Sequence, residues 1–389
     1  MKLLLVENYR ADQQESMLRF SGMLKSGLRD RGVSVRSWCP AVVLGGNGSS
    51  SARAKWLGYV DKYVLARASL KRAAKWADVV HIVDHSNAIY APLVGARPVV
   101  VTCHDLLAVR SALGELSGQK AKWSGKLLQR WILASIAKAS RVVCVSDTTQ
   151  NDVSRLAPSL EGRTEVVWNG LNYPYQRRDV PATKSAVKAT FLKRQIKQPV
   201  KFLFHIGGNQ WYKNRAFAIH VFHKLRELTQ NRELSLVMAG KDPTPEMLSL
   251  VAQYGLEEQV IWLGPLANNE LEALYHVAEC LFFPSLAEGF GWPIAEALAC
   301  GCAVVTSDRA PMNEVGGPAC LYIDPCDVFG SVRLLAKHLQ SSELKSESTV
   351  ALRLAWAARF RASTMLDSYQ RVYAQLQATG IKPLRSAIR

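Results

Sequence analysis

Acidic residues are in short supply in this 389-residue chain: 32 Asp and Glu stand against 49 Lys and Arg, a net charge of +17. The shortage is uneven. Residues 1–180 hold 26 basic against 14 acidic side chains, and the remainder holds 23 against 18. The first half therefore carries most of a field that draws anionic partners such as lipid headgroups, phosphorylated acceptors or nucleic acid. Long apolar runs are missing too. None reaches the ~18 residues expected of a membrane span. The opening MKLLLVEN meets Glu7 too soon for a secretory leader and reads as a buried strand, so a cytoplasmic location is expected. Paired cysteines are the third absence. The eight cysteines are scattered, most of them in apolar runs such as VVVTCHD and RVVCVSD, where a core thiol is the ordinary role. Cys300 and Cys302 form a C-x-C with no second pair at zinc spacing, so neither a metal nor a disulfide framework is expected there.

What is present is length and alternation. A chain of this size accommodates two domains, and its 48% hydrophobic content supports substantial cores. KLLLVEN, GVSVRSW, DVVHIVD, PVVVTCHD, SRVVCVSD and TEVVWNG read as strands, with helix-length segments between most of them. A linker over 174–198 ends in a short helix. A second series then follows: KFLFHIGG, LSLVMAG, QVIWLG, CLFFPS, CAVVTS and CLYID. Strands alternating with helices argue for parallel α/β sheets, in which ligands gather at the carboxyl ends of the strands. The segment 356–377 reads as helical.

One stretch organises the second series: PSLAEGFGWPIAEALACG, residues 284–301. An apolar run ends in proline, Gly289 and Gly291 turn the backbone, Pro293 suits a first helical turn, and a helix follows. Free amides at such a helix start favour an anion. Glu288 and Glu296 bracket the turn with seven residues between them. Phosphate on the amides of Gly289–Gly291, with hydroxyls held by a carboxylate on either side, is the layout of a nucleotide sugar. A plain βα turn with one capping and one solvated Glu satisfies the same spacing. Upstream, HIGGNQWYKNR offers Gly207 and Gly208 for close backbone approach and Lys213 as a compact positive charge at a helix start.

The stretch 284–301 resembles the Glu-x7-Glu signature of the retaining glycosyltransferases of family 4, including the flanking PS, EGFG and EALACG. VTCHDL, VCVSDTTQNDV and VVWNGLN resemble segments of that family's N-terminal domain. The resemblance implies a GT-B fold: two Rossmann-like α/β domains facing each other across a cleft, with a C-terminal helix crossing back to the first. The expected division is 1–180 for the acceptor side, 181–355 for the donor side and 356–389 for the returning helix. It implies catalytic roles for Glu288, Lys213 and His104, the last where the family places a histidine near the donor sugar. Donor contacts are expected from Gly207, Gly208, Leu266, Gly289, Phe290, Gly291 and Glu296, with Leu266 against the base. Ser16 and Met17 fall where the family has a loop near the acceptor, although ENYRADQQESM lacks the family's glycines. Gln210, Trp211 and Tyr212 stand where the family carries an arginine ahead of its lysine, leaving Arg215 as a substitute. Glu314 matches a frequent family Glu, or serves a helix end.

The function implied is retaining, metal-independent transfer of a sugar from a nucleotide-sugar donor to a glycan or lipid-linked acceptor in cell-surface polysaccharide synthesis, with no cofactor. A sugar-nucleotide epimerase on the same fold and a non-catalytic binder are the alternatives. A nucleic-acid partner is not expected, since charge excess without a binding module is weak. Two basic stretches carry tryptophan: Arg53, Lys55, Lys62, Arg67, Lys71, Arg72 and Lys75 with Trp56, Tyr59, Tyr63 and Trp76; then Lys120, Lys122, Lys126, Arg130 and Lys138 with Trp123 and Trp131. They read either as a peripheral contact with an anionic membrane or as helices whose tryptophans fill the core.

Overall fold

A computed structural model describes residues 1–46, 52–116, 122–341 and 343–378, with backbone alone for 52–55, 180 and 345. Lys120 lies outside the described residues, and so do the side chains of Arg53 and Lys55. The chain forms two compact units, Met1–Asn172 with Ala362–Arg389, and Tyr173–Arg361.

In the first unit the strands are β1 Lys2–Val6, β2 Ser34–Trp38, β3 Val79–Ile82, β4 Val99–Cys103, β5 Arg141–Cys144 and β6 Thr164–Val166. They form one sheet in the order β2-β1-β3-β4-β5-β6, parallel throughout. The second unit holds β7 Lys201–Gly207, β8 Leu234–Gly240, β9 Val260–Gly264, β10 Cys280–Phe283, β11 Val304–Ser307 and β12 Leu321–Ile323. Their order is β12-β11-β10-β7-β8-β9, again parallel. Each apolar run of the sequence has become a strand. The central strands are unbroken apolar runs because helices cover both faces of a parallel sheet; Leu3–Val6, Val99–Val101 and Cys280–Phe283 are buried at every position. In each sheet the order reverses once, between β1 and β3 and between β7 and β10. Loops diverge at such a switch point and leave a crevice for ligands.

The C-terminal helix Ala362–Ala378 belongs to the first unit. The Tyr373 hydroxyl meets Nδ1 of His81 (2.7 Å), Nε2 of His81 meets Thr102 Oγ1 (2.8 Å), and Thr102 Oγ1 meets the Tyr369 hydroxyl (2.8 Å). All four side chains are buried, so the chain of hydrogen bonds satisfies groups that would otherwise each cost about 1–3 kcal/mol. Gly27 lets the same helix close in, because a Cβ there would stand 2.3 Å from Leu366 Cδ1. The helical segment is interrupted at Arg361: the helix Glu347–Ala357 and the turn Ala358–Phe360 stay in the second unit. At the other junction the second unit begins at Tyr173 rather than near 180. Tyr175 donates to Asn268 Oδ1 and the Gln176 amide to Glu272, both on the helix Asn268–Val277.

Among the described residues no helix is long and apolar enough to cross a membrane. None of the eight cysteines is in a disulfide, and five of them are buried.

Candidate active site

The second unit's switch point is where the chemistry-bearing residues meet. After β7 the chain passes Gly207 and Gly208 into a 3-10 turn, Trp211–Lys213, and Asn214 takes a left-handed conformation (φ 54°) before the helix Arg215–Thr229 begins. Lys213 is therefore on the turn and not, as the sequence suggested, at the helix start. Asn214 Nδ2 donates to the carbonyls of Pro284 (3.0 Å) and Pro325 (2.9 Å), and the Leu286 amide donates to the Tyr212 carbonyl (2.7 Å). These bonds stitch the loop after β7 to the loop after β10. The result is a two-point contact between residues 75 positions apart: Lys213 Nζ donates to Glu288 Oε1 at 2.7 Å and Oε2 at 2.9 Å. The side chains are 16% and 10% exposed. The ammonium also lies over the rings of Phe283 (5.3 Å) and Tyr212 (5.6 Å), and Gly207 packs against the Lys213 stem, 3.4 Å from where a Cβ would be.

Beyond Glu288 the chain turns into the helix Trp292–Ala299 through Gly291, whose φ of 99° only glycine tolerates without strain. Gly289 is not left-handed, so the sharp turn falls on one glycine and not on two. Pro293 occupies the first helical turn as expected. Phe290, expected among the donor contacts, is buried, edge-on to Trp292 and Phe360. Glu296 is buried in the helix, where its Oε2 accepts from the Tyr275 hydroxyl at 2.9 Å. Burial, and next the Glu296 carboxylate, hold the Tyr275 phenol well above its ordinary value; it stays protonated and donates. Leu266 is half-buried in the loop ahead of the helix Asn268–Val277, and Glu314 half-buried in Met312–Gly316.

Arg215 does not stand free as a second cation. It is 2% exposed, and its Nη1 donates to Asn209 Oδ1 and to the Lys241 carbonyl (2.9 Å), with its guanidinium over Trp262 (5.3 Å). Asn209 in turn donates to the Asp242 carbonyl (2.9 Å). Arg215 thus ties the loop after β7 to the loop after β8. Their approach is close: a Cβ on Gly240, whose φ is 106°, would lie 2.2 Å from the Gly207 carbonyl. Nε and Nη2 of Arg215 are buried without a partner, and burial lowers the pKa of the guanidinium.

In the first unit the switch point gathers a polar cluster. Asn8 Nδ2 donates to Asp84 Oδ2 (2.6 Å) and to Gln14, while Ser86 donates to Asp84 from both its amide and its hydroxyl. His104 is buried, with Nε2 on the Val83 carbonyl (2.9 Å) and Phe20 edge-on to its ring (4.8 Å). Burial lowers its pKa, against the pull of Asp84. Ser16 is exposed and Met17 half-buried in the first turn of the helix Glu15–Asp30. Among the described residues, no three His, Cys, Asp or Glu side chains group as metal ligands.

Asn214, Tyr275 and the loop-tying role of Arg215 are absent from the sequence reading. Asn214 had a signal, since asparagine is a frequent non-glycine residue in the left-handed region. Tyr275 had none, because a tyrosine on an apolar helix face reads as core.

Two doubly wound units, each built on a parallel six-stranded sheet, are the architecture of the GT-B class of sugar-transferring folds. Among solved structures, the HepE protein of Anabaena, determined in complex with UDP and glucose, aligns with a TM-score of 0.73 over 97% of this chain and all of that one, at 15% identity. The family model "Glycosyl transferases group 1" matches residues 188–348, and "Glycosyltransferase Family 4" matches 21–173. The chain belongs to glycosyltransferase family 4. Similar curated proteins from Escherichia coli include the serotype-specific mannosyltransferase WbdA, 26% identical over 78% of this chain and 38% of WbdA. The O-antigen chain mannosyltransferase B is 26% identical over 74% of each chain. The chain spans about a third to a half of the length of the first curated relatives it matches.

Proposed function

We propose that the chain transfers a mannosyl group from a nucleotide-sugar donor to a hydroxyl of a glycan or lipid-linked acceptor, in the assembly of a cell-surface polysaccharide. The observation that carries this reading is the Lys213–Glu288 pair at the switch point between β7 and β10. The family's membership and the mannosyltransferases among the relatives support the class and the sugar. In this reading Lys213 and the amides at the start of the helix Trp292–Ala299 take the charge that grows on the diphosphate as the C1–O bond breaks. Glu288 orients the sugar through its hydroxyls. Glu296, held by Tyr275, takes the ribose hydroxyls. The acceptor oxygen bonds to C1 on the face the diphosphate leaves, so the anomeric configuration is retained. Its proton passes to the departing phosphate, and the nucleoside diphosphate is released. No divalent metal is assigned a step. His104 is proposed as the first unit's contribution, and Ser16 and Met17 as acceptor contacts. The protein is proposed to work at the inner face of an anionic membrane, without crossing it.

The test is incubation with nucleotide mannoses and nucleotide glucoses, with and without EDTA, together with membrane-derived acceptor. A new α-mannoside formed from an α-linked donor, at equal rates with and without EDTA, is the expected product. Isomerised donor with no new glycoside would overturn the transferase reading, and an inverted product would overturn the mechanism.

A further inference from the structure

Three of the four tryptophans in the two basic stretches face outward, while Trp76 packs against the core. Trp123 is 79% exposed, Trp56 65%, Leu127 61% and Trp131 46%. They stand along a groove of about 870 Å³ in the first unit, between the helix Ala52–Val60 and the helix Trp123–Ile136. Its wall is a continuous aromatic ladder. Trp56 meets Tyr59 edge-on (5.8 Å), Tyr59 stacks on Tyr63 (5.5 Å), and Tyr63 meets Trp131 edge-on (5.4 Å). A π-helical turn at Asp61–Leu65 continues the first helix, and Lys62 on it is drawn away to Asp12 (2.9 Å) and the Tyr9 and Tyr59 rings. Exposed apolar surface on this scale marks a binding face.

The rim says what binds. Residues 122–138 carry Lys122, Lys126, Arg130 and Lys138 and no acidic residue. Residues 52–76 carry seven Lys and Arg and one acid, Asp61. That carboxylate is 1% exposed and occupied by the Tyr9 hydroxyl (2.7 Å) and the amides of Val43, Leu44 and Gly45. Nothing in these two stretches offsets the positive rim. An apolar floor under a cationic edge fits a ligand with an aliphatic chain below an anionic head, and tryptophan favours the depth where the two meet.

We propose that this groove docks the first unit on an anionic lipid bilayer. An acyl chain lies along Trp56, Tyr63, Leu127 and Trp131, and lipid phosphates sit on Lys122, Lys126 and Arg130. The proposal rests on the membrane-facing part of the functional reading, and its test keeps the two apart.

The full chain is floated with vesicles of phosphatidylcholine alone and of an equal mixture with phosphatidylglycerol, and tryptophan emission is read against vesicles with brominated acyl chains. Flotation with the anionic vesicles and quenching by the brominated chains are expected. Two variants follow, each checked for an unchanged melting temperature: W123A/L127S, and K126Q/R130Q. The first should lose quenching. The second should weaken vesicle binding about 30-fold, as two surface cations imply. Equal flotation of wild type with both vesicle types, or binding unchanged in both variants, would overturn the groove. So would retention on a single-stranded oligonucleotide with no affinity for vesicles. Donor binding, measured by thermal shift without vesicles, should be the same in wild type and both variants. If the wild type binds vesicles but no nucleotide sugar, the functional reading fails and the groove stands.

Discussion

Replacing Lys213 by alanine separates what the Lys213–Glu288 pair does for stability from what it does for transfer. In K213A the Glu288 carboxylate, 10% exposed, loses both of its contacts to the ammonium at 2.7 and 2.9 Å. Breaking a buried pair by removing one partner costs about 3–5 kcal/mol. The residual exposure of both side chains trims this to about 2–4 kcal/mol. For a unit of about 190 residues each kcal/mol moves the melting temperature by about 2–4 °C. A loss of about 3 kcal/mol is therefore a fall of about 6–12 °C in calorimetry. The double variant K213A/E288Q no longer buries a lone charge and should recover more than half of that fall. Transfer behaves differently: each single variant should lose at least ~100-fold, the scale of a preorganised charge contact, and the double variant should recover none of it. Transfer that returns along with stability would refute the catalytic assignment and leave the pair as a fold element. Equal melting temperatures for single and double variants would refute the burial argument.

Tyr275→Phe removes the hydrogen bond that the Tyr275 hydroxyl donates to Glu296 at 2.9 Å; the KM for donor should rise about 5- to 10-fold with kcat within about twofold, the scale of one hydrogen bond near a charge. Gly240→Ala forces a Cβ to within 2.2 Å of the Gly207 carbonyl in a backbone at φ 106°, so donor-induced thermal stabilisation should vanish even where the protein still folds. His81 and His205 are both buried with pKa values lowered to about 3, chiefly by burial. An unfolded histidine titrates at about 6.5, so at these two groups the unfolded chain binds more protons between the two values; their contribution to stability is complete above about pH 6.5 and is lost as pH drops toward 3. The urea midpoint should fall steadily from pH 7 to pH 4, and His81→Gln should flatten that slope for the first unit; a slope unchanged in the variant would remove His81 as its cause.

Much of the fold was legible because a parallel sheet covered on both faces needs strands that are apolar throughout. PVVVTCHD and CLFFPS announce themselves on that account, and their polar ends locate the crevice. Glu288 and Lys213 were nameable from their local patterns, but their contact was not. It depends on Asn214 reaching the Pro284 and Pro325 carbonyls, a tertiary event that periodicity does not encode. The same holds for Arg215. As a letter beside a lysine it suggests a second phosphate contact, and only its burial under Asn209 and Lys241 makes it a brace. Trp56 and Trp123 were ambiguous for a different reason: an aromatic at helical spacing packs inward or faces outward with the same sequence, and only the folded surface decides between them.

The geometry of the pair also explains why this position calls for lysine. An ammonium carries three N–H donors, and Glu288 takes two of them, one on each carboxylate oxygen. In the proposed function the third is left for a phosphate oxygen, so the donor would add to the pair without first breaking it, and the charge on Nζ would be shared between a fixed carboxylate and a growing oxyanion. Arginine differs in kind. Its planar fork matches a carboxylate with two parallel bonds, and a guanidinium held that way by Glu288 turns its remaining donors along the fork plane, away from a site beside it. Lys213→Arg should therefore keep the melting temperature of the parent within about 2 °C, the scale of a change below 1 kcal/mol, while transfer falls by at least ~10-fold. The readout that decides is the donor dissociation constant measured beside the rate. If K213R binds donor as tightly as the parent and transfers as fast, the ammonium acts only as a countercharge to Glu288, and the diphosphate is held by the helix start at Gly291 alone.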